Sequence, residues 1–436
     1  MSSFSLIAFS NYSRVKSRIK ADDRPDSAGM RPADSDTMTF NTPKPKSNYH
    51  NAIAEGNCNI IVAGSVALDY DCRYIMSSTE KQASVELHTS NPSKIHQSIG
   101  GVGYNVARAA RSSGSSVRLL SAIGADPAGH VLLDHLRRCK LDLEDVRVVS
   151  EANTSLYIAF NDANKGLLMA ASDMRLFEDE KNAPNAEIWK SESNILKPSW
   201  FVVDANWNAA SISKLLKEAK AVGVKTAFEP VSIPKASRIF GKTFDLPVFP
   251  DQQVDLISPN RDELFAIYQA AQSGGMFERE DWWQLVSSFG LSSFGMRDDL
   301  VKHSSQALVD AGIPQQCLHL LPFFPEIVVS LGSDGLLLTM LLNADDDRLK
   351  STNEAARWVL GGAPSKISSS GNKIGGIYMR RFEAAEVVAS DDIMSVNGVG
   401  DTLLGTLVAN MAQSQGGAEE YVQISQQAAI EKLKGR

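Results

Sequence analysis

The chain has 436 residues, of which 43% are hydrophobic and 22% charged, so it is long enough for one large or two medium globular domains. Its formal net charge is -7 at pH 7, which argues against nucleic acid as the main partner, because binding a phosphate backbone needs a concentrated basic surface. The sequence has no apolar run of about 18 residues, so no membrane span is predicted. Its four widely spaced cysteines favour a reducing compartment.

Residues 1–56 are rich in Ser, Pro, Asp, Asn and Lys and lack apolar periodicity, which predicts a disordered tail. The first 20 residues of this tail contain Lys, Arg and Ser and no acidic residue, a composition typical of organelle transit peptides. We therefore expect a cytoplasmic location, with mitochondrial import through the tail as the alternative.

From residue 57 onward, strand-like and helix-like segments alternate. The predicted strands are 59–64, 116–123, 200–204, 224–229, 256–258 and 326–331. The predicted helices are 105–113, 128–140, 211–221 and 261–272. This alternation predicts an α/β fold in one domain over 57–436, with a mostly parallel central sheet and helices on both faces.

Four stretches interrupt the pattern. Residues 70–98 and 153–171 alternate polar and apolar side chains, which predicts half-buried strands that form a small β-strand lid. Residues 274–315 and 344–373 are polar and rich in Gly or Ser, which predicts irregular insertions on the surface.

The first motif that could carry chemistry is Gly100-Gly-Val-Gly-Tyr-Asn105, ahead of a helix that Asn105 is predicted to begin. Glycines let a ligand approach the backbone, and a helix start offers unpaired amides. The motif lacks GxGxxG spacing, and the chain has no GxxxxGK[ST] loop. Standing alone, it fits a structural turn as well as a binding site.

The second motif is Gly398-Val-Gly-Asp401, directly before an apolar segment. Its amides can point into one pocket at a helix start and stabilise negative charge on a transferring phosphoryl group. Asp401 can take the proton of an attacking hydroxyl, and with an ordinary pKa of about 3.9 it would be ionised at neutral pH. The alternative is an aspartate that only caps the helix.

Five motifs in a fixed order give the sequence a family resemblance. They are Gly64–Asp69, Gly100–Asn105, Ser258–Glu263, Ser330–Gly335 and Gly398–Asp401. This set resembles the ribokinase-like (PfkB) family of sugar and nucleoside kinases, which implies a ribokinase-like fold. Within the family the resemblance is closest to the pseudouridine kinases, including the kinase half of fungal bifunctional proteins. The residues behind this narrower resemblance are 100–105, 171–174, 203–206, 228–232 with Lys235, and 397–405.

The resemblance implies roles for individual residues. It makes Asp401 the catalytic base and places the anion hole at Gly398, Val399, Gly400 and the amide of Asp401. It assigns substrate binding to Asp69, Gly100, Gly101, Asn105, Ser172, Asp173 and Met174. It assigns ATP binding to Asn260, Glu263, Ser330, Gly332 and Gly335, with Glu263 acting on Mg²⁺ through water.

The expected reaction is ATP-dependent phosphorylation of the 5′-hydroxyl of a nucleoside, with pseudouridine as the acceptor. One alternative is another sugar or nucleoside kinase, of the ribokinase, adenosine kinase or fructokinase type. The other is a catalytically weak nucleoside-binding paralogue, because family members usually carry alanine where Val399 stands. The resemblance further implies a homodimer formed through the lid and a functional link to a pseudouridine-5′-phosphate glycosidase.

Overall fold

The computed structural model describes residues 58–435, apart from short internal gaps. The gaps are residues 76–85, 87, 140, 142, 163–166, 185–197, 242–244, 290, 292–294, 351, 361–373, 390, 391 and 415. The predicted tail at 1–56 lies outside the described residues.

The described chain contains strands and helices in alternation. The strands are β1 (Ile60–Ala63), β2 (Ala67–Tyr74), β3 (Ser93–Gly100), β4 (Val117–Gly124), β5 (Val146–Val149), β6 (Leu156–Asn161), β7 (Leu167–Asp173), β8 (Trp200–Asp204), β9 (Lys225–Glu229), β10 (Leu256–Ile257), β11 (Glu326–Ser330), β12 (Leu336–Asn343), β13 (Val359–Leu360) and β14 (Ile374–Phe382). The helices are α1 (Val102–Ser112), α2 (Pro127–Arg138), α3 (Ala209–Ala221), α4 (Ile233–Ala236), α5 (Arg261–Ser273), α6 (Glu280–Ser288), α7 (Met296–His303), α8 (Gln306–Asp310), α9 (Ile313–Leu320), α10 (Val399–Ser414) and α11 (Ala418–Leu433).

Ten strands form one large sheet in the order β13-β14-β12-β11-β10-β9-β8-β1-β4-β5. The seven strands from β11 to β5 in this order pair in parallel, whereas β12, β13 and β14 extend the sheet with antiparallel pairs. The predicted mostly parallel sheet is therefore confirmed. Since the parallel strands run the same way, their carboxyl ends share one edge, where open α/β sheets bind ligands.

Hydrophobic side chains cover both faces of this sheet, as the sequence predicts. Successive residues of a strand point to opposite faces. Accordingly, Ile60 and Val62 join one buried cluster with α1 and α10, while Ile61 and Ala63 join another with α3 and α5. α1 and α10 approach closely at Gly405, where a Cβ atom would lie 2.4 Å from the carbonyl oxygen of Val106.

A second sheet of four strands, in the order β3-β2-β6-β7, stands apart from the large one. We refer to it as the small sheet. It occupies the two stretches for which a lid is predicted, and its strands begin or end a few residues away from the predicted bounds. β2 pairs antiparallel with β3 and parallel with β6, so the two predicted lid segments join through β2 and β6.

The prediction of irregular structure at 274–315 is wrong for the described part of that segment, which forms α6, α7, α8 and the start of α9. The apolar side chains of Trp282, Leu285 and Phe289 recur at helical intervals and are buried. Abundant polar residues obscured this periodicity. In the segment 344–373, residues 361–373 lie outside the described residues, and most of the described remainder forms short turns and β13.

Among the described residues, no helix is both long enough and apolar enough to cross a membrane.

Candidate active site

The turn at Gly398 leads directly into α10. Gly398 has a φ of 73°, a left-handed conformation that glycine adopts without steric cost. The first intrahelical bond runs from the Thr402 amide to the Gly398 carbonyl oxygen. The amides of Val399, Gly400 and Asp401 precede that bond and donate no hydrogen bond to any residue that the structure describes. Gly400 is exposed, and a Cβ atom on it would meet nothing within 4 Å, so there is open space beside this turn.

Asp401 lies inside the first turn of α10 and is 8% exposed. Burial raises the pKa of its carboxyl group to about 7, and repulsion from Asp204 and Glu263 adds to the increase, while Asn105 and Lys432 lower it. The expectation of an ordinary pKa is therefore wrong, because the sequence does not show that the residue is buried among other acids. A group with this pKa changes its protonation state near neutral pH.

Asn105 is the partner of this carboxylate. α1 starts at Val102 with Gly101 as its N-cap, so Asn105 lies in the first turn and does not begin the helix as predicted. Its Nδ2 donates a hydrogen bond of 2.8 Å to Asp401 Oδ2. A Cβ atom on Gly398 would lie 2.8 Å from the same Nδ2, so the glycine at this position makes room for the contact. The two glycine-rich motifs thus meet at one point.

Asp69 lies on β2 next to the end of β3. A Cβ atom on Gly100 would lie 1.9 Å from Asp69 Oδ2, which shows that the carboxylate occupies the space that the missing side chain leaves. Gly101 follows with a φ of 97° and turns the chain into α1. Burial raises the pKa of Asp69 to about 6, and the charge of Lys432 lowers it. Asp69 is therefore a half-buried acid that faces a cation.

Asp204 is the last residue of β8, and its side chain contacts the start of α1. Its Oδ2 accepts hydrogen bonds from the amides of Ser65, at 2.8 Å, and Gly103, at 3.0 Å. One buried carboxylate thus fixes both the turn after β1 and the start of α1. Burial raises the pKa of Asp204, while the bonds from Ser65 and Asn206 and the charge of Lys235 lower it.

Glu229 and Glu263 add negative charge beside Asp401. Glu229 ends β9, and burial together with repulsion from Asp401 and Glu263 raises its pKa well above the usual value. Its Oε2 has no hydrogen-bond partner among the described residues. Burial also raises the pKa of Glu263. An unpartnered carboxylate oxygen beside other carboxylates fits a hydrated divalent cation, since Mg²⁺ prefers oxygen ligands and keeps several waters.

The predicted ATP-binding residues lie at the ends of β10 and β11. Asn260 and Glu263 form a capping box at the start of α5: Asn260 Oδ1 accepts from the Glu263 amide at 2.9 Å, and Glu263 Oε2 accepts from the Asn260 amide at 2.9 Å. Ser330 pairs with Asn260 in an isolated parallel bridge. Gly332 and Gly335 have positive φ values of 64° and 88° in the turn that follows. These residues therefore lie next to one another at the carboxyl ends of β10 and β11. Their role in ATP binding stays a prediction.

The three remaining residues predicted to bind the acceptor lie at the end of β7. They are Ser172 and Asp173, the last two residues of the strand, and Met174, which follows it. Ser172 lies opposite Tyr157, which lies opposite Asp69 on the next strand, so these three side chains share one face of the small sheet. The Asp173 carboxylate instead binds the guanidinium of Arg175 at 2.6 and 2.9 Å, which holds its pKa below the usual value. Met174 packs against the hydrophobic core. Of the three predicted residues at the end of β7, Ser172 is therefore the one that shares a face of the small sheet with Asp69.

Sequence reasoning did not assign roles to three charged residues in this region. Asp204 and Glu229 each end a buried parallel strand, and an acidic residue at that place is a signal that could have found them. Lys432 belongs to the last turn of α11, far along the chain from the motifs, and no local pattern distinguishes it from the other lysines.

The fold and the two converging glycine motifs agree with the family that the sequence resembles. The chain belongs to the pfkB family of carbohydrate kinases, because the model described as "pfkB family carbohydrate kinase" matches residues 62–289. The ribokinase of Cryptococcus neoformans in complex with ADP has a TM-score of 0.52 and 16% identity, over 87% of this chain and 94% of that one. The ribokinase of Thermotoga maritima has a TM-score of 0.53 and 14% identity, over 86% and 92%. These likenesses confirm the ribokinase-like fold.

Curated relatives carry more specific names. A pseudouridine-metabolizing bifunctional protein of Schizosaccharomyces pombe is 29% identical over 85% of this chain and 45% of its own length. The pseudouridine kinase of Arabidopsis thaliana is 25% identical over 74% of this chain and 79% of its own length. The pseudouridine kinase of Escherichia coli is 27% identical over 53% and 66%. The chain thus spans less than half the length of the fission yeast relative.

Proposed function

We propose that this protein transfers the γ-phosphoryl group of ATP to the 5′-hydroxyl of pseudouridine and gives pseudouridine 5′-phosphate. The family supports phosphoryl transfer to an alcohol group. The choice of pseudouridine rests on the names of three relatives and on the narrower sequence resemblance.

The observation that carries this proposal is the hydrogen bond from Asn105 to Asp401 at the open start of α10. It brings the motif assigned to the acceptor against a buried carboxylate and three unpaired amides. A base and an anion site within one helical turn are the parts that phosphoryl transfer needs.

In the proposed reaction, Asp401 accepts the proton of the 5′-hydroxyl as its oxygen attacks the γ-phosphorus. The new bond joins that oxygen to phosphorus, and the bond between the γ-phosphorus and the oxygen that bridges it to the β-phosphorus breaks, so ADP leaves. Asn105 orients the carboxylate. The amides of Val399 and Gly400 donate to the phosphoryl oxygens, and the positive end of the α10 dipole stabilises their charge.

The acceptor end of the site is Asp69. Its carboxylate can accept hydrogen bonds from two neighbouring ribose hydroxyls, and the glycines at 100 and 101 let the sugar approach the backbone. The small sheet, whose face holds Asp69, Tyr157 and Ser172, acts as a lid that excludes water and so limits hydrolysis of ATP.

The nucleotide end holds ATP with Mg²⁺. Glu229 and Glu263 would hold the waters of the cation, which fits the unpartnered oxygen of Glu229 and the single carboxylate oxygen that Glu263 uses in its capping box. When bound, Mg²⁺ neutralises charge on the β- and γ-phosphates. Asn260, Ser330, Gly332 and Gly335 line the nucleotide site in this proposal.

The first experiment is a panel of acceptors with ATP and Mg²⁺: pseudouridine, uridine, adenosine, ribose and fructose. We expect ADP formation to be fastest with pseudouridine and the product to be its 5′-phosphate by mass spectrometry and NMR. A strong preference for ribose, adenosine or fructose would identify another kinase of the family and overturn the substrate. Tight nucleoside binding without turnover of any acceptor would favour the catalytically weak paralogue.

Asp401→Asn is the matched variant for the mechanism. It keeps the shape of the side chain and can still accept the bond from Asn105, so folding and nucleoside binding should persist while turnover falls by orders of magnitude. Turnover close to that of the wild-type protein would remove Asp401 from the mechanism.

The remaining parts of the proposal concern partners and location. We propose a homodimer formed through the small sheet, whose edge strands expose apolar side chains such as Ile95 (64% exposed) and Met169 (59%). Light scattering that finds only monomers would reject it. We further propose a functional link to a pseudouridine-5′-phosphate glycosidase that consumes the product, because one relative is named bifunctional. The cytoplasmic location, with mitochondrial import as the alternative, stays a prediction.

A further inference from the structure

Lys432 reaches the active site from the end of α11. A Cβ atom on Gly398 would lie 3.5 Å from Lys432 Cε, so the lysine side chain passes close to the turn before α10. Lys432 also lines a cleft of about 360 Å³ with Ser98, Asn105 and Arg108. The cleft therefore lies next to both acids: Ser98 on β3 pairs with Asp69, and Asn105 binds Asp401.

The backbone around Lys432 is anchored to the segment that leads into the site. The carbonyl oxygen of Leu433 accepts a hydrogen bond of 2.9 Å from the amide of Met394. Lys434 forms an ion pair of 2.5 Å with Glu386. The end of α11 is therefore held by contacts that do not involve Lys432, and its side chain is not needed to dock the helix.

Five charged or titratable groups from neighbouring elements act on Lys432 or share its cleft. They are Asp69 on β2, Tyr104 and Arg108 on α1, His135 on α2 and Asp401 on α10. Burial and the charges of Arg138 and Arg108 lower the pKa of His135, which favours its uncharged form. Two carboxylates and the Arg108 guanidinium are then the charges that act on the lysine.

The electrostatic effects are mutual. Burial and Arg108 lower the pKa of Lys432, while Asp401 and Asp69 raise it. In turn, the ammonium lowers the pKa of both carboxyl groups. The Lys432 ammonium therefore acts on both acids.

We propose that Lys432 is a positioning residue for phosphoryl transfer, whose ammonium acts on both Asp69 and Asp401 from the cleft beside Asn105 and favours the ionised form of both carboxylates. An ionised Asp69 can accept hydrogen bonds from the acceptor, and an ionised Asp401 can accept its proton. The inference rests on the proposed function in one respect, which is that these two carboxylates serve the acceptor and the reaction.

The test compares Lys432→Met, Lys432→Arg and Lys434→Met. The first variant removes the charge and keeps an unbranched side chain, and the second retains the charge. The third removes a lysine two residues away that pairs with Glu386, so it controls for net charge and for the end of α11. The kcat and kcat/KM of each are measured from pH 5.5 to 9 with the acceptor that the wild-type protein prefers.

We expect Lys432→Met to lose about tenfold in kcat/KM at pH 7 and to move the acid limb of the pH profile upward by about one pH unit, so that activity recovers near pH 9. Lys432→Arg should restore the wild-type limb, and Lys434→Met should leave it in place. An equal loss at every pH, an unmoved limb, or the same movement in Lys434→Met would overturn the proposal.

A second readout needs no turnover, so it separates this inference from the proposed function, which the acceptor panel decides. Asp69 and Asp401 have folded-state pKa values above their unfolded value, so these two groups bind more protons in the folded state and their contribution to the free energy of unfolding falls as pH rises from 4 to 7. In Lys432→Met both pKa values rise further, so this fall should be larger and extend to higher pH. Parallel curves for variant and wild type in urea titrations would overturn the inference even if the kinase is fully active.

Discussion

Asn105 Nδ2 lies 2.8 Å from Asp401 Oδ2, and this bond joins the first turns of α1 and α10 across 296 positions of the chain. It is the contact through which the N-terminal and C-terminal glycine motifs become one site. It also lowers the pKa of a carboxyl group that burial and two neighbouring acids raise. The hydrogen bond therefore both orients Asp401 and favours its ionised form.

Asn105→Ala should lower kcat by about 10- to 100-fold, because a hydrogen bond to a charged group contributes roughly 1.5–3 kcal/mol. The acid limb of kcat against pH should move upward, since the bond to Asp401 is lost. The matched control is Asn410→Ala on α10, where Nδ2 donates to the Thr406 carbonyl oxygen at 2.8 Å. If both variants lose activity alike, Asn105 has no particular role.

The activity of the wild-type protein should fall as pH decreases below neutrality. The Asp401 pKa of about 7 and the Asp69 pKa of about 6 mean that each becomes protonated in this range, and a protonated Asp401 cannot accept a proton. We expect kcat/KM to show an acid limb with an apparent pKa near 7. Circular dichroism at pH 5.5 checks that the fold persists, and a flat profile down to pH 5 would contradict the assignment of Asp401 as base.

Gly100→Ala should raise the acceptor KM by about tenfold or more, because a Cβ atom there would lie 1.9 Å from Asp69 Oδ2 and displace the carboxylate. The KM for ATP should change little. Gly417→Ala at the start of α11 is the control, since its Cβ would meet nothing nearer than 3.9 Å and should leave the acceptor KM unchanged. An unaltered acceptor KM in Gly100→Ala would show that Asp69 does not bind the acceptor.

Val399→Ala tests whether the β-branched side chain crowds the anion hole. Val399 is partly buried and packs against the hydrophobic cluster that contains α1 and α10. We therefore expect the variant to lose about 1 kcal/mol of unfolding free energy while kcat changes by less than about twofold. Urea titration and steady-state kinetics measure the two effects. A several-fold gain in kcat would mean that Val399 does obstruct phosphoryl transfer.

The sequence predicts the elements whose signals are local. β8 is found at its observed bounds, Trp200–Asp204, because a short continuous apolar run suits a strand buried on both faces. The start of α1 is missed by three residues, since Val102 and Gly103 look like loop. A Cβ atom on Gly103 would lie 2.5 Å from the Gly64 carbonyl carbon, so glycine is required there by packing against another turn and not by local conformation.

In the candidate site too, some residues have a local signal in the sequence and others do not. The glycine motifs and Asp401 are visible in the sequence because their chemistry needs a particular local order of residues. The raised pKa of Asp401 is not visible, since it arises first from burial and then from Asp204 and Glu263, which only the fold brings near. Lys432 is hidden for the same reason: it belongs to an ordinary helix whose last turn meets the site only in three dimensions.

The glycine at position 405 has one more consequence. Because a side chain there would collide with the Val106 carbonyl oxygen, α1 and α10 are in backbone contact over the turns that follow Asn105 and Asp401. This close packing fixes the two helices relative to each other, so the position of Asn105 relative to Asp401 is set when the chain folds. Aligning the two residues then costs little entropy at each turnover. In the proposed function, movement on ligand binding belongs to the small sheet, so the lid closes without a change in the distance between Asn105 and Asp401.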